Sequence, residues 1–240
     1  MFQRRELPFV FMNGAVSADG KLALENRSLI QFSSKRDQNF VLQLRATADA
    51  VLCGAETVEI FSIDLGADSV ACRKKRERKG LPSEPLRVLV SDDGNLDPSA
   101  RVFQQKLSPV LVLVAERGYK RCAIRLRGKA TVKSFGKSSV DFVRAFRWLR
   151  EEFGVKRLLC EGGGETNAAL ITAGVVDEVH ITICPLILRG RNAPTICDGD
   201  GARSLKSATR LKLKTVTVVK GELFLTYSVL GKASRKTPGR

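Results

Sequence analysis

The 240-residue chain holds a single histidine, and its six cysteines, at positions 53, 72, 122, 160, 184 and 197, never fall into a C-x-x-C pair. A zinc centre needs clustered Cys and His ligands, so no metal is expected, and the wide scatter argues against a disulfide framework. Cys53, Cys160 and Cys184 lie inside apolar runs, where free cysteine behaves as a small buried hydrophobe, which suits a reducing cytoplasm. No stretch approaches the roughly 20 apolar residues of a membrane span. The start, Met1 to Pro8, carries two arginines but no apolar core with a small-residue cleavage site, so no export is implied. Aromatics are only 6% of the chain and do not interleave with its basic runs, so the stacking platforms of single-strand nucleic-acid binders are missing. Neither G-x-G-x-x-G nor G-x-x-x-x-G-K-[ST] occurs around the main glycine cluster, Gly162-Gly163-Gly164, which excludes the usual dinucleotide and P-loop fingerprints there.

What the chain does have is positive charge and one conspicuous glycine turn. The net charge of +16 favours an acidic partner: nucleic acid, a membrane surface or a phosphorylated small molecule. The densest basic run is Arg73-Lys74-Lys75-Arg76-Glu77-Arg78-Lys79. From Gly154 the sequence runs through Lys156-Arg157 into apolar Leu158-Leu159-Cys160, stops at Glu161-Gly162-Gly163-Gly164, and resumes as a helix at Glu165 or Thr166. Glycines let a ligand approach the peptide N–H groups, and the N-terminus of the following helix favours an anion. A phosphate or pyrophosphate is the expected guest.

In order, Pro8 to Val16 reads as a doubly covered strand ending at Ser17-Ala18-Asp19-Gly20-Lys21. Residues 34–47 read as a polar helix with Ser33 or Ser34 as N-cap, and 49–53 as a strand that turns at Gly54 into a short helix bearing Thr57. Residues 66–85 suggest a basic helix or a mobile excursion. Strands are expected at 86–90, 110–114, 123–126 and 130–132, a helix at 140–153 with Trp148 in the core, and a helix at 165–173. An alternating strand over 175–184 puts His180 and Thr182 on one face, and the lone histidine reads as structural. Strands 211–219 and 223–229 form a closing hairpin. The expectation is one α/β domain over residues 1–231 with one mixed, mostly parallel sheet, and a basic, disordered tail over 232–240.

With these pieces placed, the chain resembles the RibD C-terminal reductase domains of riboflavin biosynthesis. The segments that carry the likeness are Ala15 to Ala23 with Ser17-Ala18-Asp19-Gly20-Lys21, Leu44-Arg45-Ala46 through Val58, Leu159 to Gly164, and Val176-Asp177-Glu178 with Pro185-Leu186. The resemblance implies a dihydrofolate-reductase-like three-layer fold and reduction, by NADPH, of the ribosyl group of 5-amino-6-(5-phosphoribosylamino)uracil to its ribityl form. It places Ala15, Gly54, Thr57, Gly162, Gly163, Gly164, Glu165, Thr166 and Asn167 on the cofactor, Arg45 and Glu161 on the substrate, and Asp19 and Lys21 at the reacting centre. It also implies a homodimer. The chain departs from the family where an aspartate, a proline and a phosphate-binding arginine are usual. Phe61 and Ile63 stand at the first two positions and Gly66-Ala67-Asp68 cover the third, so the run 73–79 becomes a candidate phosphate contact. Asp92-Asp93 oppose a 2′-phosphate and leave NADH open. No cytidine-deaminase-like half with H-x-E and P-C-x-x-C is present. Alternatives are a reductase of a pterin on the same fold, and a nucleic-acid-binding or catalytically silent relative.

Overall fold

The computed structural model describes residues 6–28 and 31–230. Nine strands, β1 (Phe9–Ser17), β2 (Ala50–Gly54), β3 (Leu86–Ser91), β4 (Val110–Val114), β5 (Thr131–Ser134), β6 (Arg157–Cys160), β7 (Glu178–Cys184), β8 (Leu211–Val219) and β9 (Glu222–Val229), form one sheet in the order β5-β4-β3-β2-β6-β1-β7-β9-β8. Pairing is parallel from β5 through β7, and β9 joins antiparallel to both β7 and β8. The helices are α1 (Lys35–Arg45), α2 (Ala55–Ile60), α3 (Val70–Glu77), α4 (Arg101–Gln104), α5 (Glu116–Arg125), α6 (Phe142–Phe153) and α7 (Gly164–Thr172).

Strand alternation splits the core in two. Val10 and Met12 of β1 join Leu52, Val88 and Leu111 beneath Phe146, Leu149 and Leu170 of α6 and α7. Phe11 joins Val51, Cys53, Leu89 and Val112 against Val58 of α2 and Cys122 of α5. The central strands are thus apolar on both faces because helices cover both, which gives three layers. Each fully buried side chain of this kind contributes about 1.5–3 kcal/mol. Trp148 packs at the margin of the first cluster, its ring against Phe135 and Phe153.

Local chemistry sets the helix ends. The Ser34 hydroxyl accepts from the N–H groups of Arg36 and Asp37, Asp141 caps α6 through Arg144 N, and Gly154 ends α6 in the left-handed region. The hairpin turns on Lys220-Gly221, both at positive φ, and Glu222 already belongs to β9. One sequence expectation needs correction. Residues 123–126 are not a strand but lie at the end of α5, where Cys122 and Leu126 are buried one helical turn apart while Ile124 is exposed. A four-residue apolar run cannot by itself separate the two periods. The basic run 73–79 lies largely in α3, and Arg76 within it is fully buried, donating to the carbonyls of Pro82, Arg45 and Ala48. The expected tail, 232–240, lies outside the described residues.

Candidate active site

β6 lies between β1 and β2 in the sheet although it follows them by a hundred residues in the chain, so the carboxyl ends of β1, β2, β3 and β6 open onto one crevice. A cleft of about 1400 Å³ fills it. Its walls are Asn13 to Ala15 from β1, Gly54 to Thr57 at the start of α2, Val90 to Asp93 at the end of β3, and Glu161 to Ala169 across the glycine turn into α7.

The turn is built for close approach. Gly162 adopts φ +96°, and a Cβ on Gly163 would stand 2.5 Å from Thr57 Oγ1. Gly163 N donates to that hydroxyl at 3.2 Å and Gly54 N donates to Gly162 O at 2.9 Å, so the β2 and β6 turns brace one another. Among the described residues, the N–H groups of Gly164, Glu165 and Thr166 meet no acceptor, and no side chain caps α7. Three unpaired donors and the positive end of a helix dipole therefore face the cleft.

Glu161 follows β6 directly and is held in place from behind. Arg45, 5% exposed at the end of α1, grips it with a fork, Nε to Oε1 at 2.6 Å and Nη2 to Oε2 at 2.7 Å. Nη1 of Arg45 donates to Gly66 O at 2.6 Å and also meets Asp68. Burial works against the arginine's charge, but the Glu161, Asp68 and Asp64 carboxylates outweigh it and raise its pKa. Glu161 lines the cleft, whereas Arg45 does not. Arg45 is thus the support of the carboxylate and not itself part of the wall.

Asp19 and Lys21, expected at the reacting centre, also stand off the cleft. The Asp19 carboxylate accepts from Ser17 Oγ, Leu188 N and Arg189 N, and these bonds, the Ser17 hydroxyl first, hold its pKa down to about 2. It clasps the loop after β7. Lys21 bridges to Thr195 through its backbone, with Nζ 3.5 Å from Ala193 O. Ala15, Gly54, Thr57, Gly162, Gly163, Gly164, Glu165, Thr166 and Asn167 do converge on the cleft. The Asn167 amide is committed, donating to Ile196 O at 2.8 Å, and so ties α7 to the 193–198 loop.

The run 73–79 contributes nothing to the cleft wall, because Arg73 pairs with Glu84 and Arg76 is internal. The arginines of the wall are Arg27, paired with Glu56, and Arg191. Asp92 and Asp93 are both present in the wall. Asp92 accepts from Val140 N at 2.9 Å, and Asp93 accepts from Asn95 N and Ser91 Oγ, contacts that lower its pKa. The thiol of Cys160, beneath the glycine turn, is pushed up to about 12 by burial and offers no nucleophile. Among the wall residues that sequence reasoning missed are Asn13, Asp37 and Arg191. The available signal for the first was a carboxamide in the middle of an otherwise apolar strand.

The family model described as the RibD C-terminal domain matches residues 8–225. A 2,5-diamino-6-ribosylamino-4(3H)-pyrimidinone 5′-phosphate reductase of Archaeoglobus fulgidus is 34% identical over 80% of this chain and 87% of its own length. The protein of the same description from Methanothermobacter thermautotrophicus is 32% identical over 93% of this chain and 99% of its own. Among solved structures, a pyrimidine reductase-like protein from Corynebacterium diphtheriae superposes with a TM-score of 0.77 at 23% identity, covering 93% of this chain and 92% of that one, and it shares the fold.

Proposed function

Because the chain belongs to the RibD C-terminal domain family, we propose that it is the oxidoreductase of riboflavin biosynthesis that reduces the ribosylamino group of a phosphorylated aminopyrimidine to the ribitylamino form. The observation that carries the reading is the anion-ready glycine turn: three unpaired N–H groups at the head of α7, one strand away from the end of β1. These residues fit a nicotinamide dinucleotide, which when bound supplies the hydride, and the family expectation is NADPH.

The chain's own residues then divide the work. Gly162 to Thr166 hold the pyrophosphate, with Thr57 and Gly54 bracing the turn, while Ala15 forms the floor at the end of β1. Asn167 sets the helix against the 193–198 loop. Glu161, immobilised by Arg45, holds a polar group of the substrate in a fixed place, so that orientation lowers the barrier. Arg191 is the wall cation without an ion pair among the described residues and takes the substrate phosphate. Asp19 and Lys21 act on the reacting centre indirectly, by positioning the loops at 186–189 and 193–195. Exposed Leu213, Val216 and Val218 on the edge strand β8 support a homodimer formed through that edge.

The test is a spectrophotometric assay of dinucleotide oxidation with the phosphoribosylaminopyrimidine, run with NADPH and NADH. Turnover is expected with both, within about tenfold of each other, since Asp92 and Asp93 repel a 2′-phosphate that the wall meets with no lysine. No turnover with either dinucleotide refutes the reading.

A further inference from the structure

Between α2 and α3 the chain is wound around one guanidinium. Ser62, Leu65 and Asp68 lie in this connection at φ 48°, 60° and 57°, the left-handed region, although none is glycine and Leu65 is fully buried. Such conformations persist only where the surroundings enforce them. The enforcing contacts are polar: Gly66 N donates to Asp64 Oδ1 at 3.0 Å, Ala67 N donates to Glu84 Oε2 at 2.7 Å, and Arg101 Nη2 donates to Asp64 Oδ2 at 3.0 Å. Held this way, the Gly66 carbonyl and the Asp68 carboxylate both accept from Nη1 of Arg45.

Arg45 is satisfied without Asp68. Its Nε and Nη2 are taken by Glu161, whose charge balances its own, and Nη1 already has the Gly66 carbonyl. Nor does Asp68 add much stability, because its side chain is 44% exposed, against 5% for Arg45 and 9% for Glu161, and an ion pair open to water on one side is weak. What Asp68 does is mechanical. It holds the corner of the planar group opposite the Glu161 fork, so that neither the guanidinium nor the carboxylate bound to it can swing. Glu161 lines the cleft, whereas Asp64, Asp68 and Arg101 do not. These three charges therefore reach the cleft only through Arg45.

Resting on the reductase reading, we propose that Asp68 is a positioning residue for the reduction. Through Arg45 it keeps the Glu161 carboxylate at the place and angle from which that group orients the substrate toward the dinucleotide. Asp64, with Arg101 and Glu84, holds the connection in the strained path that aims Asp68 inward. A group behind the wall thus sets the precision of a group in the wall, and small misplacements of an orienting group cost rate more than affinity.

The experiment measures KM and kcat per dinucleotide-binding site for the phosphoribosylaminopyrimidine on the wild type, Asp68→Asn and Asp68→Gly, and on the same two variants combined with Glu161→Gln. Single-turnover kinetics serve the slow proteins. Asparagine and glycine both suit a left-handed backbone, so the connection keeps its path. Asparagine leaves Nη1 a neutral acceptor and glycine leaves none. With Glu161 intact, the rate should fall about threefold in Asp68→Asn and at least about tenfold in Asp68→Gly, while KM and dinucleotide affinity change less than about twofold. With Glu161→Gln, neither change should slow the enzyme further by more than about twofold, because the path to the substrate is already cut. A wild-type rate in Asp68→Gly, or the same fold loss with and without Glu161, overturns the positioning role and leaves the reductase standing. A wild-type protein that binds no dinucleotide and turns over no substrate overturns the reductase reading and the positioning role with it.

Discussion

His180 illustrates how a single residue is assigned by its surroundings. Its ring is buried edge-on between Phe11 and Phe40, Nδ1 lies 3.1 Å from Thr226 Oγ1, and Nε2 lies 3.0 Å from Glu178. Desolvation lowers its pKa from 6.5, with Glu178 opposing and Lys214 assisting. A base whose pKa is lower folded than unfolded binds fewer protons in the native state, so stability is full above about pH 6.5 and falls as pH drops through that value toward the folded pKa. Because the chain has one histidine, thermal melts between about pH 8 and pH 5.5 should show a loss that a His180→Asn variant flattens. An identical slope in the variant would assign the loss to carboxylates instead. Arg76 and Arg87 tell a parallel story about charge. Both are buried and donate to main-chain carbonyls, Arg87 to those of Val102, Gln105 and Ser108, so part of the basic composition is internal mortar and not a surface.

At the scale of elements, the turn into α7 depends on the brace between two neighbouring strand ends. Adding a side chain at position 163 drives it against Thr57 Oγ1 and breaks the N–H contact that fixes the turn. Gly163→Val should weaken dinucleotide binding by at least about tenfold in a fluorescence titration, with the far-ultraviolet spectrum unchanged, since preorganised donors carry the anion site. Affinity equal to the wild type would place the pyrophosphate elsewhere. Most elements were legible from local pattern: the double-sided apolar strands, the Ser34 and glycine-turn junctions, and the closing hairpin all depend on neighbours in sequence. The end of α5 was not, because Ala123 to Leu126 is short and apolar, and only its burial against β4 and β5 shows a helical period. The roles of Asp19 and Arg45 were blurred for the same reason. Sequence puts each near a strand or helix end, but the contacts with residues 188–189 and with Glu161 decide which way each side chain points.

On the scale of the whole molecule, charge is unevenly distributed. The protein carries +16, yet the cleft wall holds more carboxylates than arginines. The cations of that wall are Arg27, paired with Glu56, and Arg191; under the proposed function helix-end donors and hydrogen bonds order the ligand there, while the basic exterior attracts anions. The other global feature is β8, a nine-residue strand at the edge of the sheet among the described residues, with Leu213, Val216 and Val218 exposed. In the proposed homodimer this edge is the pairing surface. Light scattering at micromolar concentration should give a dimer, and the double variant Val216→Lys, Val218→Lys should give a monomer. A wild-type monomer would refute pairing through this edge. Among the described residues no helix is long and apolar enough to cross a membrane.

Most of the strands and helices, and the anion-favouring glycine turn, were determined by the sequence alone, because periodicity and capping act over a few neighbouring positions. That Asn13 and Asp37 meet in one cleft wall was decided only by the tertiary structure. Asn13 and Asp37 are 24 positions apart and look like a strand carboxamide and a helix-start acid. It took the return of β9, nearly two hundred residues later, to bring Glu222 onto Ser34 N and Oγ, the donors an acid at position 37 would otherwise reach, and to leave Asp37 lining the cleft.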